Sequence, residues 1–176
     1  GPGAYYFFMR AQMPEGVTLE WDIFETALMA AQGRKVHAGE PLRFYSEWPD
    51  IESKSYDVIL AGNTLHCFDK PYEVLDRLAS IACPYFIAQD VPVIPGERDR
   101  ITIQMPPPVR LIKTYRRPNF PLFPTWFFSE DALLKRFAKD YAVRMWWHSG
   151  NNPLLDGKPI RRKGYLLEKI SSKKGA

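Results

Sequence analysis

The sequence predicts an α/β domain built around a mainly parallel β-sheet, and two observations carry this prediction. Residues 56–61 (YDVILA) and 84–89 (PYFIAQ) are short, continuously apolar runs, typical of strands that are covered on both faces. Between them, residues 71–81 place apolar side chains on one face of a helix. A strand, a helix and a second strand in this order indicate a right-handed βαβ unit.

The first part of the chain adds two helices and a strand to this pattern. Residues 4–13 are apolar on nearly all sides, which favours a buried helix. Residues 17–24 alternate between apolar and polar side chains and predict a strand that ends at Glu25. Residues 26–33 predict a short helix that ends at Gly33.

Further strands and two helix caps follow along the chain. Residues 42–45 (LRFY) predict an extended segment. We expect Asp69 to cap the helix at 71–81, with Pro71 in its first turn. We also expect Ser129 to cap a helix with acids near its start and bases near its end, as the helix dipole favours. The last two predicted strands span residues 141–147 and 164–170.

Residues 91–125 form a stretch rich in proline and aromatic residues that cannot be a regular helix. We interpret the chain as one domain, residues 1–176, and this stretch as an insertion within it. Such insertions are more often lids or binding loops than idle linkers. Because the insertion follows a strand that we expect to end at Asp90, it should fold over the carboxyl ends of the strands. The other interpretation is a surface elaboration that packs on the outer helices.

Composition bears on the class of protein. The chain has 176 residues, 45% apolar and 25% charged, values close to those of ordinary globular domains. It lacks an apolar run long enough to span a membrane and lacks a signal-peptide pattern, so we expect a cytoplasmic protein. The two cysteines do not have the number or spacing of a disulfide framework or a zinc site, and we predict no metal.

The charge pattern bears on possible partners. The net charge is +4, but the basic residues are mostly scattered, so a nucleic-acid partner is not expected. Binding of nucleic acid through the basic tail and exposed aromatic residues is kept as a third hypothesis, and it would weaken steeply with salt. An oligomer is compatible with the sequence.

Glycines and acids near the predicted strand ends are candidates for binding a ligand. Gly1 and Gly3 precede the first helix, where free backbone N–H groups suit a nucleotide-like cofactor. Glu25, about 20 residues later, could accept hydrogen bonds from ribose hydroxyls. The other interpretations are that the opening Gly-Pro is the remnant of a removed purification tag and that Glu25 is a polar strand terminus.

The segment from Tyr56 to Leu78 is the most informative. An apolar strand leads into a short loop, Asn63, Thr64, Leu65 and His66, and then into a helix. This order closely resembles the fourth-strand region of class I methyltransferases, in which the loop lies under the cofactor. The resemblance implies a Rossmann-like sheet, with S-adenosylmethionine as the cofactor and Gly1, Gly3, Glu25, Asn63, Thr64 and Leu65 as cofactor-binding residues.

More narrowly, the chain resembles the methyltransferase family of the LIC12133 type. The resemblance rests on short segments in order and spacing: EWDIFE at 20–25, the loop just described, RITIQMPP at 100–107, PTWFFSEDALL at 124–134 and KGYLLEK at 163–169. It implies a small-molecule or saccharide acceptor. The family's first strand should precede Gly1, so we expect the sheet to lack it or to be truncated there. The alternative function is a non-catalytic binding or scaffolding module with the same sheet.

Methyl transfer needs alignment of the reacting atoms, and a base if the acceptor is a hydroxyl. His66 and Asp90 are the candidate catalytic residues, and His148 is a further candidate base. Thr102, Gln104, Tyr115 and Trp126 are candidates for binding the acceptor, with the proline-rich stretch forming that side of the site. Structural roles, such as Trp126 in the core and His66 as a polar loop residue, stay open at this point.

Overall fold

The computed structural model describes residues 3–104, 123–150 and 152–170. They fall into two compact units, residues 1–55 and residues 56–176.

The first unit contains two parallel strands and three helices. Strands β1 and β2 pair in parallel, with Trp21 opposite Leu42 and Phe24 opposite Tyr45. Apolar side chains from α1, β1, α2 and β2 form the core of this unit. Its elements are α1 (Ala4–Arg10), β1 (Trp21–Phe24), α2 (Ala27–Val36), β2 (Leu42–Tyr45) and α3 (Trp48–Glu52).

Three sequence predictions for this unit are corrected. Helix α1 is not a buried helix, because Tyr6 is its buried residue while Phe8 is 66% exposed. Strand β1 begins at Trp21 rather than at residue 17. Gly33 lies inside α2 rather than at its end. A glycine is needed at this position because the helix packs on Phe44 there, and a Cβ on Gly33 would lie 2.2 Å from that ring. The predicted strand at 42–45 is confirmed.

The second unit is built on a mixed six-stranded sheet. Its strands run in the order β5-β6-β4-β10-β7, and β3 pairs with β4. The pairs β3–β4 and β4–β6 are parallel, whereas β10 is antiparallel to both β4 and β7 and β5 is antiparallel to β6. The elements are β3 (Val58–Gly62), α4 (Pro71–Ser80), β4 (Tyr85–Ile94), β5 (Arg100–Gln104), β6 (Phe123–Ser129), α5 (Glu130–Phe137), β7 (Tyr141–His148), β8 (Leu154–Leu155), β9 (Lys158–Pro159) and β10 (Arg161–Lys169), with a 3-10 turn at Leu65–Cys67.

The core of the second unit lies between the sheet and its helices. Phe86, Phe128, Leu133 and Leu167 are almost completely buried, together with Leu75 of α4. The predicted cap of α5 is confirmed, since Ser129 Oγ accepts a hydrogen bond from the Ala132 N–H at 3.2 Å. Sequence patterning therefore predicted the central βαβ unit, β3-α4-β4, and the start of α5 correctly.

Two local predictions for the second unit are wrong. Asp69 does not cap α4: Lys70 is the residue before the helix and makes no side-chain cap, whereas Pro71 at the first position supplies the helical φ angle itself. Strand β4 does not end at Asp90 but continues to Ile94, where it pairs with β6. Residues 91–94, 100–104 and 123–125 of the proline-rich stretch are consequently strand, and residues 105–122 lie outside the described part of the chain.

The expected absence of a first strand stays a prediction. In the described residues, β1 pairs with β2 and β3 pairs with β4, and neither has a second strand partner.

Candidate functional site

The carboxyl ends of β3 and the first half of β4 carry two residues in an unusual backbone conformation. Asn63, directly after β3, has φ of 52°, and Asp90, within β4, has φ of 58°. This left-handed region is uncommon for residues other than glycine. Residues held in it often belong to functional sites, because the surrounding structure must offset the strain.

Asp90 lies in a β-bulge. On β10, Lys163 pairs with Val91 and Tyr165 pairs with Ala88. Gln89 and Asp90 of β4 therefore lie opposite the single residue Gly164. A bulge changes the direction of a side chain without ending the strand. This explains why an acid that looks like a strand terminus in the sequence lies inside a continuous strand.

Gly150 leaves room for the Asp90 carboxylate. Gly150 has φ of +62°, and a Cβ on it would lie 2.9 Å from Asp90 Oδ1 and 3.5 Å from Arg162 Cδ. The side chains of Asp90 and Arg162 therefore both lie against the backbone of this glycine. A side chain at position 150 would be strained and would displace the carboxylate.

His66 lies in the 3-10 turn after β3 and is 4% exposed. Its Nδ1 atom is buried and has no hydrogen-bond partner among the described residues. Burial is the main cause that lowers the pKa of His66, the positive charge of Arg162 acts in the same direction and Asp90 opposes both, with a net pKa of about 4. The imidazole is therefore neutral at pH 7, with one buried nitrogen available to a ligand.

Arg162 completes this cluster and was missed from the sequence. Its Nη1 donates a hydrogen bond to Asn63 Oδ1 at 2.9 Å, and its Nε is buried without a hydrogen-bond partner among the described residues. The Ser149 N–H donates to the Arg162 carbonyl at 2.9 Å, and Ser149 Oγ is likewise buried and without a partner in the described ranges. In the sequence, Arg162 lies in a basic run that is typical of surface charge, and no pattern relates it to Asn63.

We call Asn63, His66, Asp90, Ser149 and Arg162 the polar cluster. It brings together three predicted residues, Asn63, His66 and Asp90, with two that were not predicted. The other two residues of the predicted loop differ from one another: Leu65 is buried in the core, whereas Thr64 is half-buried and its carbonyl accepts from the Cys67 N–H at 2.9 Å.

The predicted cofactor residues of the first unit lie at the start of α1 and after β1. Gly3 has φ of +108°, and a Cβ there would lie 3.2 Å from Leu42 Cδ1, so its backbone conformation and internal packing account for a glycine without a ligand. Glu25 follows β1 and is half-buried, and its N–H donates to the Tyr45 carbonyl at 2.9 Å. Gly1 lies outside the described residues.

The predicted acceptor residues lie mainly on β5 and β6. Thr102 of β5 is half-buried and pairs with Thr125 of β6. Trp126 packs edge-to-face against Tyr72 and stacks on Phe128 at the border of the core. Gln104 is the last residue of β5, Tyr115 lies outside the described residues, and His148 is exposed at the end of β7.

Comparisons with solved structures give the fold. A Sulfolobus solfataricus protein assigned to the type 11 methyltransferases superposes with a TM-score of 0.53 at 12% identity, over 99% of this chain and 83% of its own. The N-terminal domain of EvdMO1 with SAH bound gives 0.56 at 8% identity, over 95% and 71% of the two chains. The chain has the Rossmann-like fold of these two proteins.

The same fold also occurs in a protein described as a pericyclic reaction enzyme. It superposes with a TM-score of 0.61 at 7% identity, and the match covers 97% of this chain but 41% of that one. No family model matches the chain and no curated protein matches its sequence, so the LIC12133-type resemblance is not confirmed. None of the helices in the described ranges is long and apolar enough to cross a membrane.

Proposed function

We propose that the protein binds S-adenosylmethionine and transfers its methyl group to a small-molecule or glycan-related acceptor. The observation that carries this proposal is a buried, neutral imidazole whose Nδ1 atom has no partner among the described residues, in a Rossmann-like fold that superposes on a protein assigned to the methyltransferases. Ligands of such sheets bind beyond the carboxyl ends of the parallel strands. His66 lies in the turn that follows one of these ends.

Two groups of residues fit the cofactor by their chemistry. A carboxylate after a parallel strand, as Glu25 provides, suits the two hydroxyls of a ribose. The backbone of Asn63, Thr64 and Leu65, which includes a left-handed turn at Asn63, suits close approach of a flat ring. Bound S-adenosylmethionine would supply an activated methyl group, and the chain would supply alignment and a proton acceptor.

We assign the role of proton acceptor to His66. Methyl transfer from bound S-adenosylmethionine to an acceptor hydroxyl would make the proton of that hydroxyl strongly acidic. His66 Nδ1 would take this proton, and a base with a low pKa is sufficient for so acidic a donor. Asp90, whose charge opposes the lowering of the His66 pKa, would stabilise the imidazolium that forms.

Calorimetry tests the cofactor assignment. S-adenosylhomocysteine should bind the wild-type protein, and Glu25→Gln should weaken binding by about tenfold or more, which corresponds to ~1.4 kcal/mol. Glu15→Gln is a matched control, because Glu15 is an exposed acid of the same unit. If the wild-type protein gives no heat and no thermal shift at millimolar nucleoside, the proposed function is wrong.

Turnover has to be tested separately from binding, because a protein of the same fold is described as a pericyclic reaction enzyme. Methyl transfer to a panel of saccharide and hydroxylated small molecules should be lost in His66→Asn, while affinity for S-adenosylhomocysteine stays within about twofold. A protein that binds the nucleoside but methylates none of the panel would favour the alternative, a binding module.

A further inference from the structure

Arg162 of the polar cluster is half-buried, and its Nε atom is completely buried. Arg162 has five N–H donors in a planar fork. One nitrogen, Nη1, donates to Asn63, and another, Nε, is buried without a partner among the described residues. Leaving a charged donor unpaired in a buried position costs free energy, so such a group calls for a ligand or a water molecule.

Two residues that neighbour Arg162 in the cluster also carry buried atoms without a partner among the described residues. Ser149 Oγ belongs to the residue whose N–H donates to the Arg162 carbonyl, and His66 Nδ1 belongs to a ring that interacts electrostatically with Arg162. His66 comes from the turn after β3, Ser149 follows β7, and Arg162 lies on β10. Three segments of the chain thus contribute residues with unpaired polar atoms to the polar cluster.

The nearby acid does not neutralise this arginine by direct contact. Asp90 and Arg162 both lie against Gly150, yet no ion pair between them is found among the described residues. Elsewhere in the unit, arginines do form direct pairs, as Arg136 does with Asp76 and Asp140. The guanidinium fork therefore retains donors for an external acceptor.

We propose that Arg162 and Ser149 bind a carboxylate group of the ligand. A guanidinium binds a carboxylate side-on through Nε and one Nη, with two parallel hydrogen bonds, and a serine hydroxyl can add a third. A carboxylate fits better than a phosphate, because the Asp90 charge lies close by and a phosphate brings up to about two negative charges. That this carboxylate belongs to the methyl acceptor rests on the proposed function, whereas its binding to Arg162 does not.

Nuclear magnetic resonance tests the assignment on the Arg162 side chain itself. The Nε–H resonance of Arg162, identified by its loss in Arg162→Met, should shift saturably when sodium acetate is added. Sodium chloride at equal ionic strength should not reproduce the shift, and inorganic phosphate should bind more weakly than acetate. The Nε–H of Arg144, an exposed arginine already paired with Glu168, should not follow the acetate titration.

The outcomes separate this proposal from the proposed function. Ser149→Ala, checked to be folded by circular dichroism, should weaken acetate binding severalfold. An Arg162 resonance that ignores acetate would show that the buried Nε is hydrated, and tighter binding of phosphate would overturn the choice of a carboxylate. Saturable acetate binding without any binding of S-adenosylhomocysteine would keep the carboxylate site and reject methyl transfer.

Discussion

Arg162 Nη1 donates to Asn63 Oδ1 at 2.9 Å, across 99 residues of the chain. The bond connects the residue after β3 to the second residue of β10, strands that lie on opposite sides of β4. Asn63 also holds a left-handed backbone conformation, with φ of 52°. One residue thus combines a strained turn with a long-range hydrogen bond, and two substitutions separate these contributions.

Asn63→Ala should destabilise the protein more than Asn63→Gly. Both variants lose the hydrogen bond to Arg162, but alanine also has a cost of about 1–2 kcal/mol in the left-handed region that glycine avoids. Urea unfolding of the two variants measures the difference. Equal losses would mean that the backbone conformation at residue 63 contributes nothing to stability.

Gly33→Ala should destabilise the first unit, although the same change in an exposed helix interior stabilises by roughly 1 kcal/mol. The sign reverses because the new Cβ would lie 2.2 Å from the Phe44 ring. Overpacking of this kind costs about 1–3 kcal/mol. Phe44→Leu should reduce the penalty of Gly33→Ala in a double-mutant cycle, and a cycle without coupling would contradict the packing explanation.

Ser129→Ala should cost about 1–2 kcal/mol of unfolding free energy. The hydroxyl is fully buried, accepts from the Ala132 N–H at 3.2 Å and donates to the Gly96 carbonyl at 2.5 Å. Ser80→Ala serves as the control, since the Ser80 hydroxyl donates to the Arg77 carbonyl at an exposed site. Similar losses for the two variants in urea would show that the cap does not stabilise α5.

His66 should make stability depend on pH between about 4 and 6.5. The folded-state pKa is lowered from the ordinary value of 6.5 to about 4. In this window the unfolded chain binds more protons at His66 than the folded chain does, so the free energy of unfolding rises with pH. The total contribution is about 3 kcal/mol at most, lost as the pH falls from the unfolded to the folded pKa.

The comparison with His66→Asn isolates this contribution from the titration of carboxyl groups. Unfolding free energies measured from pH 4 to 7 should depend less steeply on pH in His66→Asn than in the wild type. His148→Asn, a change at an exposed histidine, should not remove that dependence. Direct titration of the His66 ring by nuclear magnetic resonance gives the pKa itself, and a value near 6.5 would reject the burial argument.

The local sequence determined those features whose causes lie within a few residues. Continuous apolar runs predicted β3 and the first half of β4, and helical periodicity predicted α4 between them. The strand at 42–45 and the Ser129 cap also follow from local chemistry, because a side-chain cap is a contact over three residues. The same patterns, in order, predicted an α/β fold with parallel strands, and the resemblance to class I methyltransferases implied its Rossmann-like class.

Only the tertiary structure decided the features that depend on distant partners. The tight packing of Gly33 on Phe44, the bulge that places Asp90 within a strand and the bond from Arg162 to Asn63 have no local signal. Asn63 and Asp90 were predicted because each follows an apolar run interpreted as a parallel strand, and His66 because its loop resembles that of class I methyltransferases. Arg162 and Ser149 were missed because β10 and β7 are antiparallel strands from the end of the chain, and only their pairing in the sheet brings those residues to that edge.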